Sequence, residues 1–261
     1  MSARTDKRAN QILHAVLHNG TTSVDELVRL TGASPASVRR DLTRLEERGL
    51  VRRTHGGAKL AGQAQYQPFR FDSSFQERES RFAEEKRRIG IAAAELIQER
   101  ETIGITAGTT TTQVARCIRH RSGIQVVTNA VNIGMELSNQ PRLTVTLVGG
   151  TMRWAGAFSL TGPLTLEAVS GIFLDKVFIG ATGIDPVHGA TAIESDEAAV
   201  FRAFTRQSKQ TIIVADSSKI GMVSPALICS SQQIHKVITD QGIDSAMVDA
   251  FDAAGVEVVV V

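Results

Sequence analysis

From residue 102 to the last residue, short β-branched runs recur at a spacing that leaves room for one helix between neighbours. The runs are TIGIT (102–106), IQVVT (124–128), LTVTLVG (143–149), KVFIGA (176–181), TIIVA (211–215), KVIT (236–239) and VEVVVV (256–261). They are continuous β-branched runs, as strands covered on both faces are. The segments between them, such as GTTTTQVARCIRH and ESDEAAVFRAFTRQSK, read as helices. This alternation predicts an α/β fold with a doubly wound, mostly parallel, Rossmann-like sheet and helices on both faces. Just ahead of it, EEKRRIGIAAAELIQERETI reads as an amphipathic helix, with Ile89, Ala93, Leu96 and Ile97 inward and the charges outward.

Open parallel sheets bind ligands beyond the carboxyl ends of their strands. Those ends carry small and polar residues here: Thr106, Gly108, Thr109, Thr110 and Thr111 after the first run, Asn129 after the second, Gly149 and Gly150 after the third. The fourth leads to Asp185 and on to Glu194, Asp196 and Glu197; the fifth leads to Ser217 and Lys219. A glycine and hydroxyls where a strand enters a helix bring backbone N–H groups, a helix dipole and O–H donors to one point, which suits a phosphate monoester. A single threonine acting as N-cap accounts for one of the four in the run, Thr109 to Thr112, and leaves the rest unexplained. Lys219 is placed to neutralise the same phosphate. The acidic trio either complements the dipole of the helix it opens or accepts hydrogen bonds from sugar hydroxyls.

Residues 1–60 differ in character. They hold 11 Lys+Arg against 6 Asp+Glu, whereas residues 61–261 hold 18 against 21. A basic module that touches a polyanion, joined to a mildly acidic body, is the expectation. Three helices are predicted in it. The first spans about residues 7–18. The second opens at Ser23, where SVDE makes a capping box with Glu26. The third, SPASVRRDLTRLEERG, starts with Ser34 as N-cap and Pro35 at the first helical position. Val38, Leu42 and Leu45 commit one face of it to packing, which leaves Ser34, Ser37, Arg39, Arg40, Thr43 and Arg44 on the exposed faces. Such side chains suit phosphates and base edges of a duplex. Alone they are an ordinary solvated helix face; after a tight turn, and before the hairpin of GLVRRTHGGAKL, they read as a recognition helix followed by a wing bearing Arg52, Arg53, His55 and Lys59.

The expected division is therefore residues 1–60 as a DNA-binding domain, 61–80 as a linker, and 81–261 as a ligand-binding body that also assembles the oligomer. No run is long and apolar enough for a membrane helix, and the first residues lack a signal-peptide core, so a cytoplasmic protein with no membrane partner is expected. Cys117 and Cys229 belong to no ligand spacing, and no third ligand joins His14 and His18, so neither a metal nor another cofactor is expected.

In order along the chain, SVRRDL, LEERGLV and R-x-HGGA resemble the winged helix-turn-helix of the DeoR family of bacterial transcriptional regulators. The resemblance continues through EKRRIGIAAAELI, GTTT, VVTNAVNI, LVGGTMR, TGPLTLEAV, KVFIGATGID, DEAAV and ADSSKIG, and covers residues 7–261. It implies that Ser37, Arg39, Arg40 and their neighbours contact operator DNA. It also implies that the body resembles the ribose-phosphate isomerase and glucosamine-phosphate deaminase fold, binds a phosphorylated sugar effector, and forms a homo-oligomer (dimer or tetramer). Repression of a sugar catabolic operon is the family's usual habit. Two departures stand out: TAGTTT replaces a DGGTTT-like entry, and the isomerases' catalytic lysine has no counterpart in GATGID or IESDEAA. Without that lysine the general acid–base set is incomplete, so no catalytic residue is expected. The alternative is a phosphosugar isomerase-like enzyme with an appended DNA-binding domain.

Overall fold

The computed structural model describes residues 8, 11, 12, 15, 16, 21–47, 51–54, 56–60, 75–152 and 158–261. The chain divides into two compact units, Met1–Arg70 and Phe71–Val261.

In the first unit β1 (Thr21–Ser23) leads into α1 (Val24–Thr31), then α2 (Pro35–Glu47), β2 (Val51–Thr54) and β3 (Gly57–Leu60). Ser23 N–H donates to Glu26 Oε2 at 2.8 Å and the Ser23 hydroxyl accepts from Glu26 N–H at 3.2 Å, closing the capping box. Gly32, at φ 63°, ends α1 with its N–H on Val28 O. The strands form an antiparallel sheet in the order β1-β3-β2. A Cβ on Gly57 would lie 2.3 Å from Thr22 O, so only glycine lets β3 sit this close to β1. Ile12, Val16, Leu27, Val38, Leu42, Leu45 and Val51 make the core. Much of the first expected helix, and His14, His18 and His55, lie outside the described residues.

The second unit runs α3 (Phe75–Ser80), α4 (Ala83–Glu95), β4 (Thr102–Ile105), α5 (Thr109–Cys117), β5 (Ile124–Thr128), α6 (Val131–Leu137), β6 (Leu143–Leu147), β7 (Thr151–Met152), β8 (Leu160–Thr161), α7 (Pro163–Ser170) and β9 (Leu174–Ile179). It continues with β10 (Gly183–Asp185), β11 (Gly189–Ala192), α8 (Ser195–Arg206), β12 (Ser208–Val214), β13 (Ala226–Cys229), β14 (Lys236–Thr239), α9 (Ser245–Ala253) and β15 (Glu257–Val260). Among the described residues the main sheet has seven strands in the order β15-β14-β12-β9-β4-β5-β6, every pair parallel. From β4 the chain winds one way through β5 and β6; from β9 it winds the other way through β12, β14 and β15. The winding reverses between β4 and β9, which is where such sheets open a ligand crevice.

Apolar side chains from the sheet bury against the helices, with Phe178, Ile103 and Ile105 of the strands and Phe204 of α8 fully covered, each worth about 1.5–3 kcal/mol. A Cβ on Gly90 would stand 2.8 Å from the backbone of Gln113, so α4 and α5 touch nearly main chain to main chain. The small antiparallel sheet β10-β11-β13 and the β7-β8 ribbon were not expected from the sequence. One further expectation needs correction. Lys86, read as an outward charge on α4, is buried, because its position falls on the same stripe as Ile89, Gly90 and Ala93.

Candidate functional site

In the first unit α2 presents the candidate DNA-contacting face. Ser34 caps it, accepting from Ser37 N–H at 3.3 Å, and the two hydroxyls are 3.0 Å apart. Arg39 and Arg40 are exposed, while Val38, Leu42 and Leu45 on the opposite side are buried. Between the two faces sits Asp41, which sequence reasoning did not single out. It is 1% exposed, and its Oδ2 accepts from Arg8 Nε at 2.5 Å. Arg44 Nη1 lies 3.9 Å from the other oxygen, so this expected DNA contact also neighbours a carboxylate. The hairpin is fastened to the helix: Arg53 N–H donates to Glu46 Oε1 at 2.9 Å and Arg53 Nη1 to the Thr43 hydroxyl at 3.1 Å. Arg52 is exposed on β2, and β3 carries Lys59, whose side chain is outside the described set.

In the second unit the residues after β4 and β9 meet at the reversal point. Thr106 N–H donates to Phe178 O at 3.1 Å, and the Thr106 hydroxyl, fully buried, accepts from Gly180 N–H at 3.3 Å. Gly180 lies close enough to Gly108 that a Cβ there would be 3.9 Å from the Gly108 Cα. The Gly108 carbonyl accepts from the Thr111 and Thr112 hydroxyls at 3.0 and 2.7 Å and from Thr112 N–H at 3.1 Å. Thr109 and Thr110 take no part in these bonds. Gly108, the N-cap of α5, has no side chain to engage the N–H groups of the first turn.

Asn129 is fully buried and its amide is engaged on all sides. Oδ1 accepts from Ala107 N–H at 3.0 Å, and Nδ2 donates to the Ser159 hydroxyl and Leu160 O at 3.0 and 3.1 Å. Gly149 and Gly150 are exposed at the end of β6. A Cβ on Gly150 would sit 1.9 Å from the Thr165 hydroxyl, whose hydrogen goes to Gly149 O. Asp185 closes its own turn, accepting from the N–H groups of Val187 and His188 and lying 2.8 Å from His188 Nδ1. Burial pushes its carboxyl up, but those bonds outweigh burial and hold it below the usual carboxylate range. Glu194 stands at the N-cap of α8, with Asp196 and Glu197 in the first turn.

After β12 the chain makes a 3-10 turn, Ser217–Lys219. Ser217 donates through N–H and hydroxyl to Asp240 at 2.7 and 2.9 Å. Asp216, buried at the root of the turn, accepts from the Ser218 hydroxyl and lies 4.0 Å from Lys86 Nζ. Burial lowers the Lys86 pKa, Asp216 opposes that fall, and neighbouring Lys219 adds to it. The strands that lead to Lys219 and to the threonine loop, β12 and β4, are parallel and two strands apart, or about 10 Å. Gly180, Asp216 and Lys86 complete this region and were not among the sequence candidates, though Gly180 and Asp216 fall inside the KVFIGA and ADSSKIG stretches.

Among the described residues no group of three or more His, Cys, Asp or Glu side chains could hold a metal ion, and no helix is long and apolar enough to cross a membrane. Two family models match the chain: the DeoR-like helix-turn-helix domain over residues 8–64 and the DeoR C-terminal sensor domain over residues 81–241. The HTH-type transcriptional regulator GolR of Listeria innocua is 31% identical, over 97% of each chain. The glycerol-3-phosphate regulon repressor of Escherichia coli is 32% identical, over 90% of each. Among solved structures, a D-ribose-5-phosphate isomerase in complex with phospho-erythronic acid matches 53% of this chain and 54% of its own, at 15% identity and a TM-score of 0.40.

Proposed function

The chain belongs to the DeoR family of transcriptional regulators, and on that premise we propose that it represses a sugar catabolic operon and answers to a phosphorylated sugar held at the carboxyl ends of β4, β9 and β12. The observation that carries the effector assignment is the reversal point. There the first turn of α5, with Thr109 and Thr110 clear of the bonds that close the loop, faces the same sheet edge as Lys219. Helix N–H donors, two hydroxyls and a lysine are what a phosphate monoester requires. Thr106, Asn129 and Thr111 shape that loop from behind. The acidic residues opening α8 are assigned to sugar hydroxyls.

On the DNA side, α2 enters the major groove, where Ser37, Arg39 and Arg40 meet base edges and the flanking phosphates, while Arg52, Arg53, His55 and Lys59 reach the backbone from the hairpin. The working unit is a homo-oligomer, at least a dimer, reading paired half-sites. The body binds its ligand without turning it over. Effector control then requires only that the ligand favour one of two states differing in operator affinity.

A thermal-shift series with phosphorylated sugars and their unphosphorylated parents tests the assignment. One or more phosphosugars raise the melting temperature, the parents do not, and Thr110→Val together with Lys219→Ala removes the rise. Equal stabilisation by the parent sugars, or none by any phosphosugar, rejects it.

A further inference from the structure

Lys86 is 4% exposed, a depth at which lysine is rare unless its charge is matched. Its ammonium donates to the main-chain oxygens of Arg78 and Arg81, the second at 2.6 Å, and faces Asp216. It therefore ties the end of α3 and the turn after it to the root of the Lys219 turn. A second tie leaves the same helix. Glu79 of α3 contacts Arg116 Nη1 at 2.7 Å, an ion contact rather than a well-aimed hydrogen bond. Arg116 closes α5, whose other end carries the threonine loop, and its Nε donates to Glu136 of α6 at 3.1 Å.

Between α3 and α4 stands Phe82 at φ 56°, ψ 40°, a left-handed conformation unusual for an aromatic residue. Such a conformation persists where its surroundings over-determine it. Here the carbonyls on either side are engaged: Arg81 O by the Lys86 ammonium and Phe82 O by Lys86 N–H at 3.0 Å. The segment Phe75–Phe82 is thus held by charged contacts to the root of the Lys219 turn, through Lys86, and to the far end of the helix that the threonine loop opens, through Glu79. Along the chain it is also the first described segment after residues 61–74, which lead back to the DNA-binding unit.

We propose that Lys86 and Glu79 are positioning residues that couple occupancy of the strand-end site to operator affinity, with Phe75–Phe82 as the segment they hold or release. The proposal rests on the effector reading above. An anion beside Lys219 offsets the charge that Lys219 presents to Lys86, strengthens the link between Lys86 and Asp216, and tightens the hold on the Arg78 and Arg81 carbonyls.

The test uses the full chain, wild type against Glu79→Gln, Lys86→Met and Lys86→Arg. Fructose 1-phosphate and inorganic phosphate serve as probes, and a labelled duplex from the chain's own promoter region serves as DNA. Fluorescence anisotropy gives DNA affinity with and without probe, and thermal shift gives probe binding. The expected result is that Glu79→Gln binds the probes as wild type does but loses about 2- to 30-fold of the probe-induced change in DNA affinity. Lys86→Arg retains more of that change than Lys86→Met. With no probe present, Glu79→Gln shifts DNA affinity within the same range, since severing a link alters the resting balance. A Glu79→Gln protein with wild-type DNA affinity in both conditions overturns the coupling, and so does Lys86→Met behaving as Lys86→Arg. Failure of both probes to bind wild type counts against the effector reading instead, and the probe-free comparison still decides the coupling. Should Lys86→Met not fold, Glu79→Gln carries the test, its side chain being 25% exposed.

Discussion

Asn129→Ala separates a strut from a ligand contact. The amide makes three bonds in a fully buried setting, to Ala107 N–H, the Ser159 hydroxyl and Leu160 O. Truncation to alanine strands the Ala107 N–H and one lone pair of Leu160 O, whereas the Ser159 hydroxyl can rotate. A buried group left without a partner costs about 1–3 kcal/mol. Placing the N–H near the middle of that range and the carbonyl, which keeps a second lone pair, at its low end gives a loss of about 2–4 kcal/mol. In a unit of this size each kcal/mol lowers the melting temperature by about 2–4 °C, so a fall of about 4–16 °C is expected. Differential scanning fluorimetry on the ligand-free protein reads it directly. A residue that only touched the effector would leave ligand-free stability alone. A melting temperature within about 1 °C of wild type therefore refutes the strut reasoning and returns Asn129 to the pocket wall.

Arg40→Ala removes an exposed guanidinium from α2. One lost phosphate contact lowers the salt slope of DNA binding by about 0.9, which is about 3.5-fold in affinity between about 50 and 200 mM salt. Anisotropy titrations at several salt concentrations measure it, and an unchanged slope takes Arg40 out of the phosphate-contacting set. Asp240→Asn tests the turn that carries Lys219. Burial pushes the Asp240 carboxyl up, but bonds from Ser217 and Gly242 N–H outweigh it, so its pKa lies below the ordinary value. A depressed carboxylate stabilises the fold above its unfolded pKa of about 4, and that contribution fades as pH falls further. Urea midpoints of wild type should therefore drop more steeply below about pH 4 than those of Asp240→Asn; parallel curves would remove Asp240 from the acid response.

The parallel sheet was legible because its strands are β-branched runs, a pattern that burial on both faces imposes on the central ones; the edge strands β6 and β15 are partly exposed. Val38, Leu42 and Leu45 marked the inner face of α2 for the same reason. The β10-β11-β13 sheet was not legible. GID, GATA and ALIC are short, rich in glycine and alanine, and show no period; their pairing depends on close backbone approach, such as a Cβ on Gly189 falling 2.1 Å from Cys229 O. Asp41 and Lys86 were missed by one error of weighting. Each is charged, so each was read as outward or passed over, yet each shares a helix stripe with buried neighbours, Val38 and Leu45 for Asp41, Ile89 and Gly90 for Lys86. Position outranks residue type where a partner waits inside: Arg8 for Asp41, and Asp216 with two carbonyls for Lys86. Sequence spacing carries the position but not the partner, which arrives from elsewhere in the chain.

The threonine run shows the same division within four residues. Threonine disfavours helix interiors partly because its hydroxyl competes for backbone carbonyls. Thr111 and Thr112 turn that competition to use, for both donate to the Gly108 carbonyl, and Asn132 Nδ2 donates in turn to Thr112 at 2.9 Å. The strand-to-helix corner is thereby closed from the inside. Thr109 and Thr110 precede it on the first turn, where the helix dipole is strongest and side-chain oxygens least disturb the ladder. A run of one residue type therefore holds two jobs set by position alone. The second pair fixes where the first-turn N–H groups point; in the proposed effector site the first pair adds hydroxyls beside them. An anion site needs both, since donors that are not held in place must be ordered when the ligand arrives.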